Sequence, residues 1–164
     1  AVVRYGNVIN SRGSVIPFFK SFHKNQKIPI THTEMTRFMI TLKDAIELVF
    51  LTYENMHGGE IFVKKCPSIK LVDIAKAINK NAKFKNIGIR PGEKIHEEMI
   101  NINDARNTFE FKNYFKILPE LSRKNNYNKM KKLGKKVKKN FSYSSESNNK
   151  WLKSDELRKI IKII

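Results

Sequence analysis

Ala1-Val2-Val3 running into Arg4-Tyr5 opens the chain on a short apolar stretch with no polar lead-in. A run of this kind reads as a buried strand of a parallel sheet, because parallel strands are covered on both faces and lack the polar alternation of a half-exposed strand. Its abrupt start reads as a cut element. Ser14 is then placed to cap a helix whose apolar face carries Val15, Ile16, Phe18, Phe19 and Phe22, with Pro17 tolerated in the first turn. Phe18 and Phe19 read as core. That face calls for a sheet with more strands than this sequence supplies, so the chain alone is expected to be marginally stable.

The remaining segments alternate between short extended runs and helical patterns, which gives an α/β class. Ile28-Pro29-Ile30 is extended. Thr41-x-x-Asp44 approximates a capping box ahead of a helix from about Leu42 to Asn55, which Gly58-Gly59 stops. Ile61-Phe62-Val63 reads as a strand, Ser68 as the cap of a helix from Ile69 to Asn79, and Asn86 to Ile89 as a strand leading into Arg90-Pro91. A short helix over Lys94 to Ile100 is expected next, then a strand around Asn107, Phe109 and Phe111, and a terminal helix from Ser154 to Ile163. Residues 1–111 form one expected block and 112–164 a basic extension.

The 164 residues carry a formal charge of +18, which raises nucleic acid or an anionic membrane as partner. The distribution argues otherwise. Lysines crowd Lys112 to Lys139, where Glu120 is the only acid, and they alternate with asparagines rather than with the aromatic residues that stack on bases. Lys, Asn and Ile abound throughout, as an A/T-rich genome would place them at indifferent surface positions. The Lys/Asn stretch is therefore read as a solvated excursion.

Cys66 is the only cysteine, which excludes an internal disulfide or a multi-cysteine metal site and suggests a reducing compartment. His96-Glu97 suggests a zinc-protease helix, but Ile100 stands where the second histidine would have to be. No apolar run approaches the roughly 18 residues needed to cross a bilayer, so the expectation is a soluble cytoplasmic chain with no metal and no membrane partner. None of the glycines falls in a G-x-G-x-x-G or G-x-x-G-x-x-G frame. A dinucleotide cradle needs that frame, since only glycine lets the backbone approach a pyrophosphate. Tyr127-x-x-x-Lys131 is read as a coincidence of composition.

Several segments together resemble one enzyme branch: Arg4 to Phe19 (RYGNVINSRGSVIPFF), Gly59 to Val63 (GEIFV), Ile89 to Glu97 (IRPGEKIHE), Asp104 to Thr108 (DARNT) and the tail around Phe141-Ser-Tyr-Ser-Ser145. They are similar to the inverting UDP-N-acetylglucosamine 4,6-dehydratases, extended short-chain dehydrogenase/reductases that feed bacterial polysaccharide and flagellin glycosylation. The resemblance implies the C-terminal portion of an extended Rossmann-type fold with its small substrate-binding domain, corresponding to the second half of such an enzyme. It implies a UDP-sugar substrate, an NADP cofactor held mainly by an N-terminal dinucleotide-binding half, and a homo-oligomeric complete enzyme. No catalytic residue is assigned, because the family's catalytic tyrosine and lysine precede the Arg4-Tyr-Gly-Asn strand.

A planar guanidinium binds phosphate oxygens in a bidentate way, so two arginines converging from separate elements suit a diphosphate. By resemblance Arg37 and Arg90 take that role, Asn7 and Glu93 join them as substrate ligands, and Val8, Ile9, Asn10, Ser11 and Arg12 form the loop over the cofactor. Asn10 stands where the family usually has glycine. The rival roles are structural: Arg37 as a helix cap, Arg90 as a surface residue, Asn7 as a turn former and Glu93 as a first-turn acid. His96 reads as supporting rather than catalytic. Two other classes remain open, a polyanion-binding module built on Lys112 to Lys139 and a non-catalytic interaction domain; within the enzyme reading, a related epimerase or non-inverting dehydratase is the nearest rival.

Overall fold

The computed structural model describes residues 1–23, 25–120, 128 and 133–163. In chain order the elements are β1 (Val2–Arg4), β2 (Asn7–Val8), α1 (Val15–Lys20), β3 (Lys27–Ile30), β4 (Thr36–Ile40), α2 (Leu42–Asn55), β5 (Ile61–Lys64) and β6 (Ser68–Lys70). They continue with α3 (Leu71–Ile78), β7 (Lys83–Asn86), β8 (Glu98–Ile100), α4 (Ile102–Ala105), β9 (Thr108–Glu110), β10 (Tyr114–Ile117), β11 (Lys135–Lys136), β12 (Tyr143–Ser144) and α5 (Ser154–Ile163). This is the expected α/β class. The elements sort into two compact units that interleave along the chain: residues 1–6, 42–66 and 98–144, and residues 7–41, 67–97 and 145–164.

The first unit is built on a five-stranded sheet in the order β1-β5-β10-β9-β11. β1 runs parallel to β5, with Val3 opposite Phe62, and the other pairings are antiparallel. Phe62 and Phe109 are fully buried in this unit, and α2 packs on β1 and β5 through Ala45 and Leu48. Tyr143 ties the end of the β5 segment, its hydroxyl donating to Cys66 O at 2.9 Å and accepting the Cys66 N–H at 2.8 Å. Gly134 is required by packing, because a Cβ there would lie 2.7 Å from the Phe111 ring.

The second unit has a three-stranded sheet, β2-β4-β6, and a parallel pair, β3-β7. Its core joins Ile16, Phe19, Ile30, Met35, Ile74 and Leu157, all nearly or fully inaccessible, and α3 packs against α5. The helix starts follow partly from local signals. Ser14 occupies the cap position of α1 in extended backbone, but its side chain makes no cap bond. Ser154 starts α5 with Asp155 and Glu156 in the first turn, where the helix dipole favours acids.

Four expectations give way to tertiary pairing. Ser68 does not cap a helix; it is fully buried in β6, its N–H bonded to Lys150 O and its carbonyl to the Leu152 N–H, and the helix begins at Leu71. The strand expected over Asn86 to Ile89 lies earlier, at Lys83–Asn86, where Phe84 pairs with Ile28 and packs on the core. No helix spans Lys94 to Ile100: Ile95 O accepts the Thr36 N–H, Glu97 pairs with Ser145, and Glu98–Ile100 forms β8 with β12. Phe18, expected in the core with Phe19, is 44% exposed. Part of the Lys/Asn excursion, including Tyr127 and Lys131, lies outside the described residues.

Candidate functional site

A cleft of about 420 Å³ opens in the second unit. Its lining includes the apolar residues Val15, Phe18, Ile30, Met35 and Ile87 as well as polar and charged ones. All four residues assigned to substrate, Asn7, Arg37, Arg90 and Glu93, line it, although they come from β2, β4 and the turn after β7. Parallel pairing of β2 with β4 sets Asn7 opposite Met39, so Asn7 and Arg37 share one face of the sheet.

Arg90 and Glu93 sit on a turn that the sequence encodes locally. The Glu93 N–H donates to Arg90 O at 3.0 Å, and Gly92 has φ +77°, the left-handed conformation that a Pro-Gly type II turn requires. The Glu93 carboxylate accepts the Arg90 N–H at 3.2 Å and stiffens the turn. The Arg90 guanidinium is exposed and, among the described residues, makes no hydrogen bond or ion pair. It is a cation open to a ligand.

Arg37 differs. Its Nη1 donates to Thr36 O at 2.7 Å and Ile95 O at 3.0 Å, its Nη2 reaches Met35 Sδ at 3.1 Å, and its Nε lies 3.6 Å from Glu97 Oε1. Most of its donors are therefore engaged by its own fold. Asn7, with its amide turned to satisfy both ends, directs Nδ2 to Glu97 Oε1 at 3.0 Å and to Phe38 O at 3.3 Å.

Glu97, to which sequence reasoning assigned no role, is the carboxylate that both Asn7 and Arg37 meet, although it does not itself line the cleft. Burial raises its carboxyl above the ordinary range, opposed by the Phe38 N–H at 3.2 Å and by Arg37. Behind it, the Glu97 N–H donates to Ser145 Oγ at 2.9 Å. Ser145 Oγ lies 2.7 Å from Thr36 Oγ1, which lies 2.8 Å from His96 Nδ1, and His96 Nε2 reaches Glu146 at 3.0 Å. His96 thus supports Glu97 from behind. The available signals were the His96-Glu97 pair and the Ser144-Ser145 tail, both inside segments already singled out. Ser14 was read only as a cap; the residue lines the cleft, and its buried Oγ has no hydrogen-bond partner among the described residues.

Of the loop residues assigned to a cofactor, Val8 alone lines the cleft. Ile9 is buried in the core, its N–H donates to Ile40 O, and the Ser11 N–H donates to Val8 O. Ser11 and Arg12 are exposed. Asn10 has φ +63°, which explains why glycine suits the position and why asparagine, the residue best able to replace it, is accommodated. The Ile9 and Ser11 N–H groups are thus engaged within the fold. Among the described residues no cluster of three or more His, Cys, Asp or Glu could hold a metal, and no helix is long and apolar enough to cross a membrane.

Comparison with known proteins adds the following. A family model described as "Polysaccharide biosynthesis protein" matches residues 1–119. The chain is 48% identical to the UDP-N-acetylglucosamine 4,6-dehydratase (inverting) of Campylobacter jejuni subsp. jejuni serotype O:2, over 98% of this chain and 50% of that protein. It is 37% identical to a UDP-glucose 4-epimerase of Rickettsia bellii, over 98% of this chain and 48% of that one. Among solved structures, "X-ray structure of Pen from Bacillus thuringiensis" aligns with a TM-score of 0.79 at 34% identity, covering 99% of this chain and 48% of that chain. The chain spans about half the length of the curated relatives it matches.

Proposed function

This chain belongs to the polysaccharide biosynthesis protein family, whose relatives here modify nucleotide sugars, and from that premise we propose that it forms the nucleotide-sugar-binding part of a UDP-N-acetylglucosamine 4,6-dehydratase, of the C5-inverting kind, serving bacterial surface polysaccharide or flagellin glycan synthesis. The observation that carries the proposal is the convergence of Asn7, Arg37, Arg90 and Glu93 on one cleft from separate elements. The higher identity to the dehydratase than to the epimerase favours the former within the family.

In this reading Arg90 supplies the free charge for a phosphate and Glu93 fixes the turn that presents it. Arg37 contributes positive potential while remaining anchored to Thr36 and Ile95. Charge-assisted contacts of this type orient a diphosphate as well as attract it. Val15, Phe18 and Ile87 offer an apolar surface on which the flat face of a base or sugar ring can lie. Dehydratases and epimerases of this superfamily normally use NAD(P), which supplies reversible hydride transfer. In this reading backbone groups of Val8, Ile9, Asn10, Ser11 and Arg12 contact it, and the part of the relatives that this chain does not match holds most of it.

Calorimetric titration with UDP tests the proposal. Saturable binding is expected, and Arg90→Ala should weaken it by about 1.5–3 kcal/mol, the worth of a hydrogen bond to a charged group. Affinity unchanged in both Arg90→Ala and Arg37→Ala would refute the assignment of the cleft.

A further inference from the structure

Glu97 touches two residues of the site without lining the cleft itself. Its carboxylate is ringed by donors from two strands. Asn7 Nδ2 on β2 lies 3.0 Å from Oε1 and 3.3 Å from Oε2, the Phe38 N–H on β4 reaches Oε2 at 3.2 Å, and Arg37 Nε stands 3.6 Å from Oε1. The last distance is too long for a good hydrogen bond, so Arg37 adds attraction while Asn7 makes the direct contact. The main chain of Glu97 is fixed as well. Its N–H donates to Ser145 Oγ at 2.9 Å, its carbonyl accepts the Ser145 N–H at 2.8 Å, and the fully buried Ser145 bonds Thr36 Oγ1, next to Arg37.

An ionised carboxylate only accepts hydrogen bonds, which is what this ring of donors needs. Glutamine, of nearly the same shape, would turn an N–H toward one of them. The consequence falls on Asn7. One Nδ2 hydrogen meets the Glu97 oxygens and the other is within reach of Phe38 O at 3.3 Å, so the fold engages both donors. Among the described residues Oδ1 is the polar atom of that side chain left without a partner, on an exposed residue that lines the cleft. An amide free to rotate could offer a ligand either end.

We propose that Glu97 is a positioning residue of the cleft, holding the Asn7 amide so that Oδ1 faces the ligand and accepts an O–H or N–H of its nucleoside or hexose rather than meeting a phosphate oxygen. Phosphate is then left to the arginines. The inference rests on the nucleotide-sugar reading of the cleft and gives a role to a residue outside its lining.

Calorimetry on this chain at neutral pH tests it with UDP, UDP-N-acetylglucosamine and inorganic pyrophosphate. Glu97→Gln keeps the shape of the side chain and Asn7→Ala changes an exposed one, so both variants keep the fold. Each should weaken binding of UDP-N-acetylglucosamine about tenfold, and the double variant should bind within about twofold of Asn7→Ala, since a residue acting through another is not additive with it. Losses that multiply, or single variants that bind like the parent, would overturn the proposal. A loss already present with UDP places the ligand's donor in the nucleoside, and one confined to the sugar nucleotide places it in the hexose; either supports the assignment. Pyrophosphate offers mostly acceptors, so Asn7→Ala should leave its affinity within about twofold, and a tenfold loss would show that Asn7 donates to phosphate instead. The Asn7 side-chain NH2 resonance, assigned by its loss in Asn7→Ala, should shift in Glu97→Gln; a resonance that stays in place would refute the positioning. If Arg90→Ala weakens UDP while Glu97→Gln and Asn7→Ala are silent with every probe, the cleft assignment stands and this inference falls. If UDP does not bind at all, both fall.

Discussion

The two units use the same kinds of element and finish with opposite surfaces. In the second unit α3 buries Leu71, Ile74, Ala75 and Ala77, α5 buries Leu157, and the two helices pack together over a continuous core. In the first unit α2 buries one side and leaves the other in water. The contrast is between a unit that closes a continuous core on itself and a unit that leaves one apolar helix face exposed.

If that contrast is correct, the units should respond separately to damage. The largest effect is expected from Leu157→Ala, which empties a fully buried position and should cost about 2–5 kcal/mol. Hydrogen exchange should show the loss in residues 7–41 and 67–97, with amides of β5 and β10 spared; uniform loss would dissolve the distinction between the units. Tyr143→Phe is the counterpart in the first unit. It removes the hydroxyl that bonds the buried Cys66 N–H and carbonyl, at about 1–3 kcal/mol, and urea denaturation of variant and parent measures it.

A smaller, pH-dependent effect separates one carboxylate in each unit. Burial works against the charge of Glu60 in the first unit, but the N–H groups of Glu60, Gly58 and His57 hold its carboxyl below the ordinary 4.5. Its contribution is present above that value and is lost as pH falls through the lowered one. Glu97 has the reverse sign, since burial raises it; its contribution is complete below 4.5 and is lost as pH rises through the raised value. Stability curves of Glu60→Gln and Glu97→Gln against the parent should therefore diverge in opposite directions across mildly acidic pH. Parallel curves would contradict the two environments.

The smallest effect is expected from charge outside the cleft. Changing the exposed Lys112, Lys135, Lys138 and Lys139 to glutamine should leave UDP affinity within about twofold. A tenfold loss would show that the basic segment steers anions toward the site.

Legibility varied along the chain for identifiable reasons. α2 and α5 lie where their local signals put them, at Leu42–Asn55 and Ser154–Ile163, because each combines a start signal with a long enough periodic run. The cleft residues Asn7, Arg37, Arg90 and Glu93 were named from motifs, and their convergence is a tertiary fact. Glu97 escaped because its importance comes from partners at Asn7, Phe38 and Ser145, far away in sequence. The uncovered apolar surface was expected on the helix bearing Phe18, Phe19 and Phe22. It lies mainly on α2, since Ile16 and Phe19 find a core within their own unit.

By itself the sequence determined the α/β class, the family motifs and the Pro91-Gly92 turn that follows Arg90. These depend on residue chemistry and short-range sterics, which act within a few positions. Only the tertiary structure decided that Ser68 joins a strand, that residues 94–100 are not helical, that Arg37 is held by Thr36 and Ile95, and which face of α2 meets water. Each of those outcomes turns on a partner dozens of residues away, where pairing and burial outweigh local preference.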